Sequence, residues 1–294
     1  FLINIPVAAI IVIAGFFILP VTVKDDEGGF DVLGTIILAV LVTSLAIGIN
    51  QLNTADIPGS ITRPIVSLPL LIAMALLPIL WRVENSARDP IIQVDLLRER
   101  EVRIATAISA GNGLSQSAIV FIPSYALLAL SLSESMASFS LLPFVMTMAL
   151  GAPVIGFLLD RAGSRTVMVS GSLILITGCL MMALLSSTLA LFILAEVLMG
   201  LGLITVIGAP LRYIMLSEAP PEHRASGQAL LNILSSAGQL VGGAMIGGVV
   251  ASIGGTGGYR YSFLLLVFVA MTIFLLSTRL KRREEQLATM KRNL

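Results

Sequence analysis

A chain of 294 residues that is 56% hydrophobic and 12% charged, with a net charge of +1, cannot build a surface that faces water on all sides, because soluble domains carry about 25% charged residues. The near-neutral balance also excludes an extended basic surface, so no nucleic-acid partner is expected. One cysteine, Cys179, and one histidine, His223, exclude a disulfide framework and a thiolate or imidazole metal cluster, and no metal or other cofactor is expected.

A hydrocarbon layer about 30 Å thick requires about 20 consecutive apolar residues of each helix that crosses it. Nine such runs are predicted, at residues 2–20, 32–50, 65–82, 104–130, 137–159, 166–186, 188–215, 225–253 and 260–279. The expected fold is all-α and integral to the membrane, with the lipid bilayer as its first partner. The fourth, seventh and eighth runs exceed the minimum length and must tilt or protrude.

The first run opens as Phe1-Leu2-Ile3-Asn4-Ile5-Pro6, without an initiator methionine or a basic leading region, which is unlike a signal peptide. The expectation is that these residues begin the carboxy-terminal portion of a longer protein.

Short cytoplasmic loops retain lysine and arginine during insertion. Loops after odd-numbered runs hold Lys24, Arg82, Arg88, Arg98, Arg100, Arg103, Arg161, Arg165, Arg212, Arg224 and the bases from Arg279 to Arg292. Loops after even-numbered runs hold only Arg63 and Arg260, a split of 16 to 2. Dropping one helix from the count would invert every later loop. The split therefore predicts a cytoplasmic carboxyl terminus and an amino-terminal end on the outer side.

The longest loop, residues 83–103, contains Pro90 and the amphipathic stretch Ile91-Ile92-Gln93-Val94-Asp95-Leu96-Leu97, which predicts a short helix on the cytoplasmic surface. Between the fifth and sixth runs lies Gly156-Phe-Leu-Leu-Asp160-Arg161-Ala-Gly163-Ser-Arg165. A tight turn there needs Gly163, its carboxylate suits a neighbouring helix amino terminus, and its arginines suit the aqueous interface. The tail from Lys281, with Glu284, Glu285 and Gln286 among its bases, is expected to be a solvated helix end.

The Gly156–Arg165 spacing resembles the G-x-x-x-D-R-x-G-x-R loop of the major facilitator superfamily, where the loop helps to latch two helical halves during switching. Pro210-Leu211-Arg212, the stretch from Pro220 to Gly227, the F-x-x-N-x-P of residues 1–6 and the D-x-x-G of Asp31 and Gly34 together resemble the fourteen-helix multidrug:proton antiporters of that superfamily. The resemblance covers the whole chain as the last nine of fourteen helices. It implies residues 1–20 as the last helix of an amino-terminal bundle, 21–103 as two linker helices and a cytoplasmic loop, and 104–294 as a six-helix carboxy-terminal bundle with its tail. It further implies a multi-pass protein of the cell membrane that exports hydrophobic or cationic small molecules in exchange for protons. The proton gradient would be its energy source and the missing amino-terminal helices its partner. The antiporter signature of the family would precede residue 1, which keeps a nutrient or metabolite symporter open.

Glu196 is the one acidic residue deep inside a run. An intramembrane carboxylate marks either a proton or cation site or a protonated structural group. Ser109, Asn112 and Gln116 lie at spacings of three and four, on one face of the fourth run, and suit either a wet cavity or hydrogen bonds between helices. Gly238-x-x-x-Gly242 and Gly243-x-x-x-Gly247 permit close backbone approach in the eighth run, as rigid packing or as a sliding interface. No nucleophile with a base, and no acidic partner for Glu196, is present in the runs. Catalysis is not expected, and a scaffold or a membrane enzyme is the weaker alternative.

Overall fold

Buried backbone in lipid must satisfy its own hydrogen bonds, and the computed structural model does so with helices throughout its described residues, which are 6, 8, 11–15, 32–52, 56–86 and 94–292. The chain divides into two units, Phe1–Phe30 and Asp31–Leu294. In the first, residues 11–15 are helical and Ile11, Val12 and Ile13 are exposed. Apart from Pro6 and Ala8, the rest of the expected first run, with Phe1, Asn4, Lys24 and also Asp31, lies outside the described residues.

The second unit begins with α1 (Val32–Asn50) and α2 (Pro64–Ser86), which pack on each other. Next come α3 (Arg100–Gln116) and α4 (Ala118–Ala129), followed by α5 (Leu142–Leu184), α6 (Leu189–Ile207) and α7 (Ala209–Glu218). The unit ends with α8 (Arg224–Ile253), α9 (Gly255–Thr278) and the short α10 (Arg283–Arg292). Six stretches are long and apolar enough to cross a membrane: Val32–Asn50, Pro64–Val83, Glu134–Leu184, Leu189–Glu218, Arg224–Ile253 and Gly255–Thr278. Glu134–Leu184 folds back at Gly163 into two legs, each counted as a pass, and the more polar stretch from Ile104 to Ala129, within α3 and α4, is counted as another. Eight passes are thus traced among the described residues, at the positions the hydropathy predicts.

Three of those passes differ from single straight rods. The run expected at 104–130 is interrupted at Ser117, where the Ser115 and Ser117 hydroxyls donate to the carbonyls of Gly111 and Leu114, a back-bonding that competes with the helical ladder. The run expected at 188–215 breaks at Gly208, just before Pro210. The turn in α5 is made by Gly163, at φ 78° and ψ 163°, a conformation essentially restricted to glycine. Its two legs are antiparallel. Gly200 of α6 lies against Phe144 in the first leg while Gly178 in the second lies against Met199, and Gly151 and Gly171 likewise meet Ile204 and Thr205.

Two apolar clusters stack along the bundle. One surrounds Tyr125, whose ring lies 5.8 Å from Phe192, 5.3 Å from Tyr259 and 5.6 Å from Phe263 and whose hydroxyl is 2.6 Å from Ser186 Oγ. The other gathers Leu96, Ile108, Met168, Ile214 and Leu280 near the opposite end. Of the predicted surface helix at 91–97, Ile91–Gln93 lie outside the described residues, and Val94–Arg98 form a 3₁₀ turn with Leu96 buried in this second cluster.

Candidate transport site and the turn at Gly163

Proline at 210 has no N–H, so the carbonyl four residues earlier, that of Val206, loses its helical donor. The side chain of Asn112 fills the gap, Nδ2 donating to the Val206 carbonyl at 3.0 Å. One turn before it on α3, the Ser109 hydroxyl donates to the Leu231 carbonyl of α8 at 2.6 Å. The polar face of α3 thus joins three helices at one level. It also borders a small cleft of about 70 Å³ that Ser109 and Asn112 share with Arg212, Gln228, Asn232 and Ser235. The Ser109 and Asn112 side chains that bond between helices also line this polar cleft. Gln116 is half-buried and outside that cleft.

Glu196 stands seven residues into α6, about 10 Å from its start at 1.5 Å per residue. It is fully buried, and neither carboxylate oxygen has a hydrogen-bond partner among the described residues. The same helix contributes Phe192, Ala195 and Met199 to the apolar cluster around Tyr125. An ionised carboxylate without a partner is not tolerated in such surroundings, so the group carries a proton or meets a cation or water. Glu196 and the Asn112 cluster belong to different levels of α6, since Val206 lies ten residues beyond Glu196.

At the end rich in arginine, Gly163 turns the chain so that Asp160 and Arg161 are exposed and Ser164 is fully buried. The Arg161 guanidinium lies 4.1 Å over the Phe157 ring, and Arg165 is half-buried. A Cβ built on Gly156 meets nothing within 4 Å, so that glycine makes no close contact among the described residues.

The carboxy-terminal tail corrects the expectation of a solvated helix end. Gln286 of α10 is 1% exposed and donates to the Ser164 hydroxyl. The Arg283 guanidinium donates to the Asp160 carbonyl at 2.9 Å. Lys281, just before α10, donates its backbone N–H to Glu101 at 3.0 Å and holds Glu218 by an ion pair of 2.7 Å. The alternation of acids and bases in the tail hid a buried glutamine whose partner lies 122 residues away.

The glycine pairs of α8 divide. A Cβ on Gly238 would overlap the Ala110 carbonyl, and one on Gly242 would stand 2.7 Å from the Leu114 carbonyl, so this pair faces α3. The packing expected for Gly243 and Gly247 is corrected: Gly243 has nothing within 4 Å among the described residues, and Gly247 meets only the Phe121 ring at 3.8 Å. Five residues on is the wrong face of a helix with 3.6 residues per turn. Gly113, which the sequence pattern did not single out, completes the contact from the α3 side, against the Ser235 carbonyl.

An all-helical bundle with a hydrogen-bonded polar level and a buried intramembrane carboxylate defines a polytopic membrane protein of transporter architecture. Residues 105–293 match the Major Facilitator Superfamily, and the chain belongs to that family of transporters. It is 26% identical over 257 residues to an uncharacterised MFS-type transporter, YfiU, of Bacillus subtilis, covering 86% of this chain and 49% of that protein. It is 28% identical over 235 residues to the riboflavin transporter RibZ of Clostridioides difficile, covering 79% and 49%. It is 22% identical over 265 residues to the multidrug resistance protein Stp of Mycobacterium tuberculosis, covering 86% and 46%. The chain spans about half the length of these relatives. Among solved structures, the fucose:proton symporter FucP of E. coli matches with a TM-score of 0.52 at 18% identity, over 74% of this chain and 54% of that one.

Proposed function

We propose that the chain is the carboxy-terminal portion of a proton-coupled exporter of the multidrug:proton antiporter type, working in the cell membrane by alternating access of two helical bundles. Residues 1–20 belong on this reading to an amino-terminal bundle, 21–103 supply two linker helices and a loop, and 104–294 form the second bundle with a cytoplasmic tail. The family match from residue 105 supports the last boundary, and the 16 to 2 distribution of bases supports the orientation. Half of the length of the relatives is absent from this sequence, and the amino-terminal helices are its necessary partner.

The observation that carries proton coupling is Glu196, a buried carboxyl group without a partner inside a membrane helix. Opening its surroundings to water on one side and closing them on the other changes its hold on a proton, which ties the proton gradient to the exchange of conformations. The turn at Gly156–Arg165, locked at Gly163 and held by Arg283 and Gln286, serves as the latch at the cytoplasmic end. In the full-length protein, Glu196→Gln should abolish the dependence of cationic-dye efflux from vesicles on the pH gradient. Efflux equal to that of the unaltered protein at every pH would reduce Glu196 to a structural role.

A second reading, a vitamin or nutrient transporter of the same family, is favoured by the riboflavin transporter among the relatives. The direction of substrate movement under an imposed inward proton gradient separates the two. Outward movement supports antiport and inward movement supports symport.

A further inference from the structure

The segment Ile204–Leu216, where α6 yields to α7 at Gly208, has a cavity on each side. One, of about 550 Å³, lies against the first leg of α5 and is walled by Ile155, Leu159, Ile204, Tyr213 and Leu216. That volume falls within the usual range for a drug-sized ligand. The other is the small polar cleft containing Ser109, Asn112, Gln228, Asn232 and Ser235. Arg212, itself exposed, and Ile207 line both, so a single guanidinium borders an open apolar groove and a polar cleft.

Two groups at this junction are open to a ligand: Arg212 is exposed, and buried Asn112 keeps one polar atom unpaired. Arg212 forms no ion pair with any described carboxylate. Glu218 of the same helix is already held by Lys281, and Glu196 is sixteen residues earlier, on the other side of the break at Gly208. Asn112, 1% exposed, spends its amide N–H on Val206 and leaves Oδ1 without a donor among the described residues. A free cation beside an orphaned acceptor selects a ligand that brings a negative charge and a donor.

We propose that this junction binds an amphipathic anion: an apolar body in the larger cavity, a carboxylate, sulfonate or phosphate on Arg212, and a hydroxyl or amide N–H reaching Asn112 Oδ1. A guanidinium offers several N–H donors in a planar fork suited to such oxyanions. The same charge disfavours a cation. The site rests on the transport reading and adds amphipathic anions to the hydrophobic and cationic compounds of that reading, at a place separate from Glu196. A lipid headgroup and a dissolved solute share this chemistry.

The test uses the full-length transporter in phosphatidylcholine proteoliposomes, with 11-(dansylamino)undecanoic acid and its uncharged primary amide as probes followed by dansyl emission. The acid should bind at least tenfold more tightly than the amide. Arg212→Gln should remove that preference and Arg212→Lys should keep most of it. If phosphatidylglycerol displaces the acid from the unaltered protein, the natural occupant is an anionic lipid, and if it does not, the occupant is a solute. Both results retain the anion site. Equal binding of acid and amide, or a preference that survives Arg212→Gln while the Lys variant folds normally, overturns it. An acid preference without proton-driven efflux of any dye leaves the site intact and defeats the transport reading, whereas efflux without an acid preference does the reverse.

Discussion

The Asn112 side chain donates at 3.0 Å to the Val206 carbonyl, the one that Pro210 leaves without a backbone donor. A kink made by proline on one helix is therefore closed by an amide from another. Asn112→Ala should destabilise the bundle by about 1–3 kcal/mol, the usual result of orphaning a buried polar group. Pro210→Ala restores an N–H at 210, so in its background the same Asn112→Ala change should lose far less. Thermal unfolding in detergent, read by labelling of buried Cys179 with a thiol-reactive dye, measures both. Equal losses in the two backgrounds would remove the link between the kink and the amide.

Lys281 ties the end of α9 to the starts and ends of two others through Glu101 and Glu218. Its ammonium is partly exposed and Glu218 is nearly buried, so Lys281→Met should destabilise by about 1–2 kcal/mol at neutral pH, between the values of exposed and buried pairs. Glu101, which precedes the membrane span, has its carboxyl pushed above its ordinary 4.5, first by burial and with Glu218 adding to the rise, while Lys281 opposes it. A raised carboxyl favours the folded state in its protonated form, so its stabilisation is full below 4.5 and is lost as pH rises through the folded value. Without Lys281 the folded value rises further. The Lys281→Met penalty should therefore grow as pH is raised from about 4 to 7, and melting curves across that window showing a constant difference would count against the arrangement.

Gly238→Ala and Gly113→Ala each place a methyl group into the backbone of the facing helix, against the Ala110 and Ser235 carbonyls. Each should lower stability by several kcal/mol or prevent folding, because neither helix can move without its neighbours. Gly243→Ala meets open space and should be neutral or gain up to about 1 kcal/mol, the difference in helix propensity. Melting temperatures of the three variants decide the matter, and a Gly243 variant as impaired as Gly238 would contradict the assigned face.

The sequence was legible where one environment acts on one segment. Bilayer hydrocarbon demands apolar length, and the eight described passes fall where that length recurs. Insertion retains arginine on one side, and glycine alone tolerates the φ of 78° at residue 163. Those features are local, so a one-dimensional reading reaches them. Glu196 was legible for the same reason, as a charge in an apolar run.

What only the tertiary structure decided is pairing. In lipid, the face of a helix that meets acyl chains and the face that meets another helix are both apolar or small, so composition does not say that Gly238 faces α3 and Gly243 does not. Nor does spacing within one helix reveal that Asn112 completes a ladder broken ninety-eight residues later by Pro210, that Gln286 is buried on Ser164, or that Arg212 borders two cavities. Each of these depends on which helix lies beside which. The amino-acid sequence determined by itself the helices, their turns and the expected side of the membrane; the packing of those helices decided which polar groups are satisfied and which are left free to bind.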